Sequence, residues 1–259
     1  MKELLILQMI AHLLADFIFQ PEKWCKEKEE NIFSQKFFLH FAIVLFCSFA
    51  LSFSLSFWWA ALAISISHLL IDFLKSCLIK GNLLKKHLFF IDQLFHFIVI
   101  TVVTVWFVKC NDNFSLKNSF TNTTLSALSF LFSEKSILFF CSTKGLLIIF
   151  SFIFCITPAN VLIKKVIELY EISKTKNNEN DESLEKAGRI IGVLERCLTF
   201  VLILFGQYQA VGFIIAAKSI LRFRDGEKAE AKTEYLLIGS LMSFGIAILL
   251  GIFCKEIIH

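Results

Sequence analysis

Runs of apolar residues separated by short polar segments dominate the hydrophobic pattern of the chain. They lie near residues 4–19, 37–53, 57–78, 88–108, 145–163, 187–205, 208–222 and 233–254. Because a transmembrane helix needs about 20 predominantly apolar residues, the pattern predicts an all-α, polytopic transmembrane bundle of seven to eight helices. Pro21 should end the first helix, and Pro158 should kink or end the fifth, because proline has no backbone N–H.

Two polar segments interrupt this pattern and predict how the chain is organised. One is rich in serine, asparagine and threonine, and the other is highly charged. We therefore expect a four-helix N-terminal module over 1–110, an external polar loop over 111–136, a connecting transmembrane helix with a charged cytoplasmic linker over 137–186, and a C-terminal module of about three helices over 187–259. Within the external loop, "LSALSFLF" at 125–132 is predicted to lie on the membrane surface.

Composition and charge support the membrane interpretation and give it an orientation. The chain is 56% hydrophobic but only 19% charged, whereas soluble domains are about 25% charged. Of its 26 lysines and arginines, 18 lie in the connections on one side of the predicted helices and six on the other. The positive-inside rule makes the first side cytoplasmic and leaves both termini outside. A re-entrant pair around "FGQYQAVG", 205–212, would change the final topology.

Several classes of function are excluded or weakly supported by the same sequence. Neither GxxxxGK[ST] nor GxGxxG occurs, so no nucleotide site is predicted. The net charge of +4 reflects mostly the cytoplasmic connections, so we expect no nucleic-acid partner. The eight cysteines include no CxxC pair, which argues against a thiolate metal site or a disulfide framework.

Costly ionisable residues recur in the first four apolar runs at helical spacing. Histidine and aspartate stand four positions apart in "HLLAD" and "HLLID", and in reversed order in "DQLFH". Residues i and i+4 share a helix face, and the reversal matches a helix that runs in the opposite direction. All seven residues of this His/Asp cluster should therefore lie at the cytoplasmic ends of four helices: His12, Asp16, His40, His68, Asp72, Asp92 and His96.

The His/Asp cluster predicts a metal site. Each such residue costs about 2.5–3.5 kcal/mol of free energy in a membrane helix. Seven residues at one depth therefore need a common interaction that offsets this cost. Imidazole and carboxylate together suit a divalent metal such as zinc, manganese or iron. One ion with supporting residues, a pair of ions, and a proton relay all stay open. Gln20 and Gln93 are expected to have helix-end roles, and His87 and His259 ordinary interface and terminal roles.

The leading hypothesis for function is a metal-dependent hydrolase in the membrane. A bound metal activates water, and an aspartate that is not a ligand can act as general base, so Asp16, Asp72 and Asp92 are the candidate catalytic residues. The expected partners are the lipid bilayer and a lipid-linked, headgroup or small-molecule substrate, and an oligomer stays open. The alternatives are a proton- or metal-coupled transporter and a non-catalytic membrane partner with a structural metal.

The C-terminal apolar runs also contain polar groups. Gly188 and Gly192 form a small-xxx-small face that would let another helix approach closely. Glu195, Arg196 and Lys218 lie at membrane depth, where they can pair, extend to the interface, or form a pocket for an anionic headgroup.

The signature "HLLADFIFQ…FFLHFAIV…HLLIDFLKS…FFIDQLFHF" resembles a bacterial membrane family catalogued as domain of unknown function 3307. The resemblance covers about residues 1–110, and the stretch from "AGRIIGVLER" onward resembles the extension of longer members. It implies a helical fold in the bacterial cytoplasmic membrane but no reaction. The HxxxD helices are also similar to those of inner-membrane proteins described as metal-dependent hydrolases, a short-motif analogy.

Overall fold

The computed structural model describes residues 1–30, 34–80, 87–111, 133–170, 182–224 and 230–258. Within these ranges every regular element is helical, which confirms the predicted all-α fold. Eleven α-helices are present in the described residues: α1 (Lys2–Leu13), α2 (Glu22–Glu30), α3 (Gln35–Ser52), α4 (Trp58–Lys80), α5 (Leu88–Cys110), α6 (Glu134–Phe140), α7 (Thr143–Ile156), α8 (Pro158–Leu169), α9 (Glu182–Leu204), α10 (Tyr208–Arg224) and α11 (Glu230–Ile258). The sequence predicted seven or eight.

Several of these helices are long and apolar enough to span a membrane. Among the described residues they are Gln35–Ser52, Leu55–Ile79, Leu88–Cys110 and Leu237–Ile258, with a fifth if the bent pair α7–α8 forms one span. The predicted spans near 4–19 and 187–205 fall outside this set, because α1 has only 12 residues and α9 begins in charged sequence. The stretch Tyr208–Ile220 of α10 is a shorter apolar helix.

The additional helices arise where the hydrophobic pattern is weak or broken. The polar segments that contain α2 and α6 were expected to be connections. The predicted fifth helix, 145–163, is two helices: α7 ends at Ile156, α8 begins at Pro158, and they meet at 51°. The break expected at Pro158 is confirmed, since proline removes a helical hydrogen bond and crowds the preceding turn.

The first helix also departs from a simple pattern. After Leu13 it continues as a π-helical turn, Leu14–Ile18, which ends just before Pro21 as predicted. A π-helical turn accommodates one more residue than an α-turn and is frequent at functional sites. Asp16 lies in this turn, so the turn sets its direction relative to His12.

Some predicted segments lie outside the described residues. They are the surface segment 125–132, most of the external loop 111–136, most of the charged linker 170–186, and His259. The described chain forms two compact units, Met1–Phe150 and Ser151–His259. The four-part division expected from the sequence stays a prediction.

The core of the N-terminal unit joins α1, α4 and α5. Leu4, Phe57 and Phe107 are each 0% exposed, and the rings of Phe57 and Phe107 meet edge to face at 4.8 Å between centroids. Two tryptophans, Trp59 and Trp106, make a similar contact at 5.0 Å. These large apolar contacts hold α4 against α5 at the end of the unit away from the His/Asp cluster.

A buried polar pair fixes the register between α1 and α3. Gln8 Nε2 donates to the backbone oxygen of Ser48 at 3.0 Å, and Ser48 Oγ donates to Gln8 Oε1 at 2.6 Å. The two helices run in opposite directions, so Asp16 and His40, each two turns away along its own helix, are also brought together. The small residues Ala11 and Ala15 permit the close approach of α1 to α3.

Candidate metal centre

The seven residues of the His/Asp cluster come together in the structure. Their side chains are between 1% and 9% exposed. The cluster lies where the α1 segment ends and where α3 and α5 begin, and α4 passes through it. Sequence spacing therefore predicted the convergence correctly, although which residues bind a metal stays a prediction.

Asp16 connects three helices through one carboxylate oxygen. Its Oδ1 atom accepts a hydrogen bond from His68 Nε2 at 3.0 Å and lies 3.4 Å from His40 Nε2. The same oxygen lies 3.8 Å from His12 Nδ1. Imidazoles from α1, α3 and α4 thus surround one oxygen.

Asp72 lies between His40 and His96. Its Oδ2 atom is 3.7 Å from His40 Nε2, and its Oδ1 atom is 3.8 Å from His96 Nε2. His96 Nε2 is in turn 3.4 Å from Asp92 Oδ1. The donor atoms therefore form a continuous group from Asp16 to Asp92.

The four imidazole rings share one small space. The rings of His68 and His96 stack with centroids 3.9 Å apart and an interplanar angle of 23°, and His12 lies 5.2 Å from His96. Three sets of side chains each offer ligand atoms within 4.8 Å of one another: His12, Asp16 and His68; His40, His68 and Asp72; and Asp72, Asp92 and His96.

Unpaired polar atoms inside the cluster fit a bound cation. His12 Nδ1, His96 Nε2 and Asp92 Oδ1 are buried and make no hydrogen bond. An unsatisfied buried polar group costs about 1–3 kcal/mol, and more when it is charged. Each of the three atoms can offer a lone pair to a metal ion. The nitrogen and oxygen donor set suits zinc, manganese or iron.

Two further residues contact the cluster in ways that the sequence did not predict. Lys75 Nζ lies 2.7 Å from Asp92 Oδ2 and forms an ion pair with it. Its charge suggested only a cytoplasmic connection, although it stands one turn after Asp72 on the same helix. The helix-end role predicted for Gln93 is wrong, because Gln93 contacts both His12 and Asp92 from within α5. The ordinary role predicted for His87 agrees with its exposed position at the start of α5.

Gln93 determines which nitrogen of His12 is available to a metal. The Gln93 Nε2 atom donates to Asp92 Oδ2 at 3.2 Å, so its Oε1 atom must be the one that faces His12 Nε2, also at 3.2 Å. An amide oxygen only accepts, so His12 Nε2 carries a hydrogen. In the neutral imidazole, His12 Nδ1 then has the free lone pair.

Replacing Gln93 with leucine should weaken divalent-metal binding about 10- to 100-fold, the usual effect of losing a group that orients a ligand. The variant removes the acceptor that fixes the His12 tautomer and leaves every proposed ligand in place. Competition against a chelating dye measures the affinity in detergent. Leu94→Ala on the same helix, at a side chain that is 58% exposed, is the control. Equal affinities for Gln93→Leu and Leu94→Ala would contradict this role.

In the C-terminal unit the polar residues bind one another. Arg196 is 2% exposed, and its Nε donates to the backbone oxygen of Cys155 at 2.8 Å. Its other nitrogens donate to Ser243 Oγ at 2.9 Å, to Asn160 Oδ1 at 2.5 Å, and to the backbone oxygen of Ile156 at 3.3 Å. Arg196 thereby satisfies carbonyls at the break between α7 and α8.

The other predicted features of this unit have mixed outcomes. Glu195 on α9 forms an ion pair with Lys218 on α10, as the pairing alternative predicted. The close helix approach expected at Gly188 is not found: among the described residues, a Cβ added at Gly188 would meet no atom within 4 Å. The close approach occurs instead at Gly251 on α11, where a Cβ would lie 2.7 Å from the Ile203 side chain.

Comparison with known proteins adds a family but no activity. No curated protein and no solved structure matches the chain. Residues 4–125 match the family described as "Protein of unknown function (DUF3307)", a range that contains the entire His/Asp cluster. The resemblance predicted from the sequence is thus confirmed over residues 4–125, the range that matches the model of this family.

Proposed function

We propose that the protein is a membrane-embedded, metal-dependent hydrolase of a lipid-linked or headgroup substrate, with a divalent ion held by the His/Asp cluster. The observation that carries the proposal is the burial of seven potential ligands around unpaired lone pairs at His12, Asp92 and His96. Such a group is expensive in apolar surroundings unless a cation binds it.

The charges of the cluster support a divalent ion. Asp16, Asp72 and Asp92 bring three carboxylates into a buried space. Lys75 offsets one of these charges through its contact with Asp92. Bound divalent cations would offset the remaining negative charge, whereas neutral histidines would not.

The residues have distinct roles in the proposed reaction. The histidines would hold a zinc, manganese or iron ion, with Gln93 fixing the tautomer of His12. The ion would supply Lewis-acid activation of a phosphoryl or carbonyl oxygen and would make a bound water more acidic. Whichever of Asp16, Asp72 and Asp92 is not a ligand accepts a proton as general base.

The position of the cluster favours a substrate at the membrane surface. His12 and Asp16 lie in the last turns of the α1 segment, and His40, Asp92 and His96 lie in the first three turns of α3 and α5. His68 and Asp72 lie within α4, which continues about two turns beyond Asp72. With the orientation expected from the lysines and arginines, this end faces the cytoplasm and both termini lie outside. A lipid headgroup at that depth would reach the cluster without crossing the hydrocarbon core.

Transport is the second candidate, because discontinuous helices such as α7–α8 are typical of transporters. In those proteins the carbonyls at the break coordinate the transported ion. Here Arg196 already binds the carbonyl oxygens of Cys155 and Ile156. The break therefore has a structural explanation, and hydrolysis is the better supported function.

Turnover of lipid by purified protein tests the proposal. The metal-loaded protein is incubated with a bacterial polar lipid extract, and water-soluble products are identified by mass spectrometry. We expect the wild type to release product and Asp72→Asn to do so at a rate lower by about 100-fold or more. Such a loss is typical when a group needed for proton transfer or metal binding is removed. Glu168→Gln, at a side chain that is 44% exposed, should keep full activity. Metal-loaded wild type without turnover would contradict hydrolysis and favour a structural metal.

A further inference from the structure

We infer that the His/Asp cluster holds two divalent ions. The inference rests on the proposed metal function and concerns the number of ions. Two of the three donor sets have no residue in common: His12, Asp16 and His68 form the first, and Asp72, Asp92 and His96 form the second. Both sets can therefore be occupied at the same time.

The first set has its own unpaired donor. His12 Nδ1 makes no hydrogen bond and lies 3.8 Å from Asp16 Oδ1, which is 3.0 Å from His68 Nε2. Gln93 holds the opposite nitrogen of His12, so that Nδ1 presents its lone pair beside a carboxylate oxygen. Two buried acceptors this close repel each other, and a cation between them would remove the repulsion.

The second set repeats this arrangement on other helices. His96 Nε2 and Asp92 Oδ1 lie 3.4 Å apart, and neither makes a hydrogen bond. Asp72 Oδ1 lies 3.8 Å from the same nitrogen. A single ion at the first set would leave these two buried atoms without a hydrogen bond.

Asp72 and His40 connect the two sets. His40 Nε2 lies 3.4 Å from Asp16 Oδ1 and 3.7 Å from Asp72 Oδ2. The two oxygens of Asp72 therefore face different histidines, one toward His40 and one toward His96. A carboxylate in this position can bridge a pair of metal ions, as in hydrolases that use two metals.

Lys75 makes the two sets unequal. Its ammonium group contacts Asp92 Oδ2 at 2.7 Å, and Asp92 belongs to the second set only. An ion that enters the second set at Asp92 Oδ1 meets the repulsion of this nearby positive charge. We expect the first ion to bind at the His12 set and the second to bind at least tenfold more weakly.

Metal stoichiometry tests the inference on the full-length protein in detergent. The protein is stripped with a chelator and titrated with Zn²⁺ or Mn²⁺, and bound metal per chain is measured by mass spectrometry after desalting. We expect two ions for the wild type and one each for Asp16→Asn and Asp92→Asn. Lys75→Met should keep two and bind the second about tenfold more tightly, because the competing charge is gone.

The possible results separate this inference from the proposed function. One ion per wild-type chain at saturation would overturn the two-ion inference and leave a metal-dependent hydrolase intact. Zero ions at saturation would overturn both. Wild-type stoichiometry alone decides the matter if a variant fails to fold, which circular dichroism reports.

Discussion

Replacing His68 and Asp72 together with alanine is expected to abolish retention of divalent metal. His68 belongs to two of the three donor sets and Asp72 to two, so every set loses at least one ligand. The remaining donors no longer form a group of three with atoms close together. We expect the affinity to fall by more than about 100-fold, beyond the effect of losing a supporting group. Titration calorimetry in detergent measures it.

A loss of folding can be distinguished from a loss of ligands in this variant. Ser65→Ala, a buried hydroxyl one turn before His68 on α4, is the matched control and should bind metal normally. Circular dichroism of the double variant and of the stripped wild type, both without metal, shows whether the variant keeps its helices. Wild-type metal affinity in the double variant would contradict the assigned site.

Replacing Arg196 with alanine is expected to destabilise the C-terminal unit by about 3 kcal/mol or more. The change removes four hydrogen bonds and leaves the buried carbonyl of Cys155 and the partly buried amide oxygen of Asn160 without their donor. Each buried acceptor left alone costs about 1–3 kcal/mol. Arg196→Lys should recover only part of this loss, because an ammonium group cannot reproduce the geometry of the guanidinium fork. Thermal unfolding in detergent measures both variants.

Arg189 provides the control for Arg196. It lies two turns earlier on α9 and is exposed, so Arg189→Ala should change the free energy of unfolding by less than about 0.5 kcal/mol. Equal stabilities for the Arg189 and Arg196 variants would show that the guanidinium does not support the break between α7 and α8.

The sequence predicted the His/Asp cluster well because its geometry depends mainly on the helical spacing of the residues and on the direction of each helix. Helical spacing places Asp92 and His96 on one face, and the alternating direction of successive helices places them beside Asp72. The Gln8–Ser48 contact, which fixes the register of α1 and α3, was not needed to predict that Asp16 and His40 would meet.

The residues that sequence reasoning missed depend on interhelical geometry. The contact of Lys75 with Asp92 requires the rotation of α4 against α5, which the hydrophobic pattern does not determine. Gln93 was expected to have a helix-end role, because the sequence does not show its contacts with His12 and Asp92. The π-helical turn around Asp16 leaves no trace in an apolar run. The helix α2 was missed because its polar composition resembles that of a connection.

Anomalous X-ray scattering from crystals of the purified protein tests whether the His/Asp cluster binds a divalent metal. Data collected at the zinc, iron and manganese absorption edges identify the element and its position. We expect an anomalous peak about 2.0–2.3 Å from nitrogen and oxygen atoms of the cluster. A cluster that is well ordered in crystals grown with these metals, yet shows no peak at any of the three edges, would contradict this expectation.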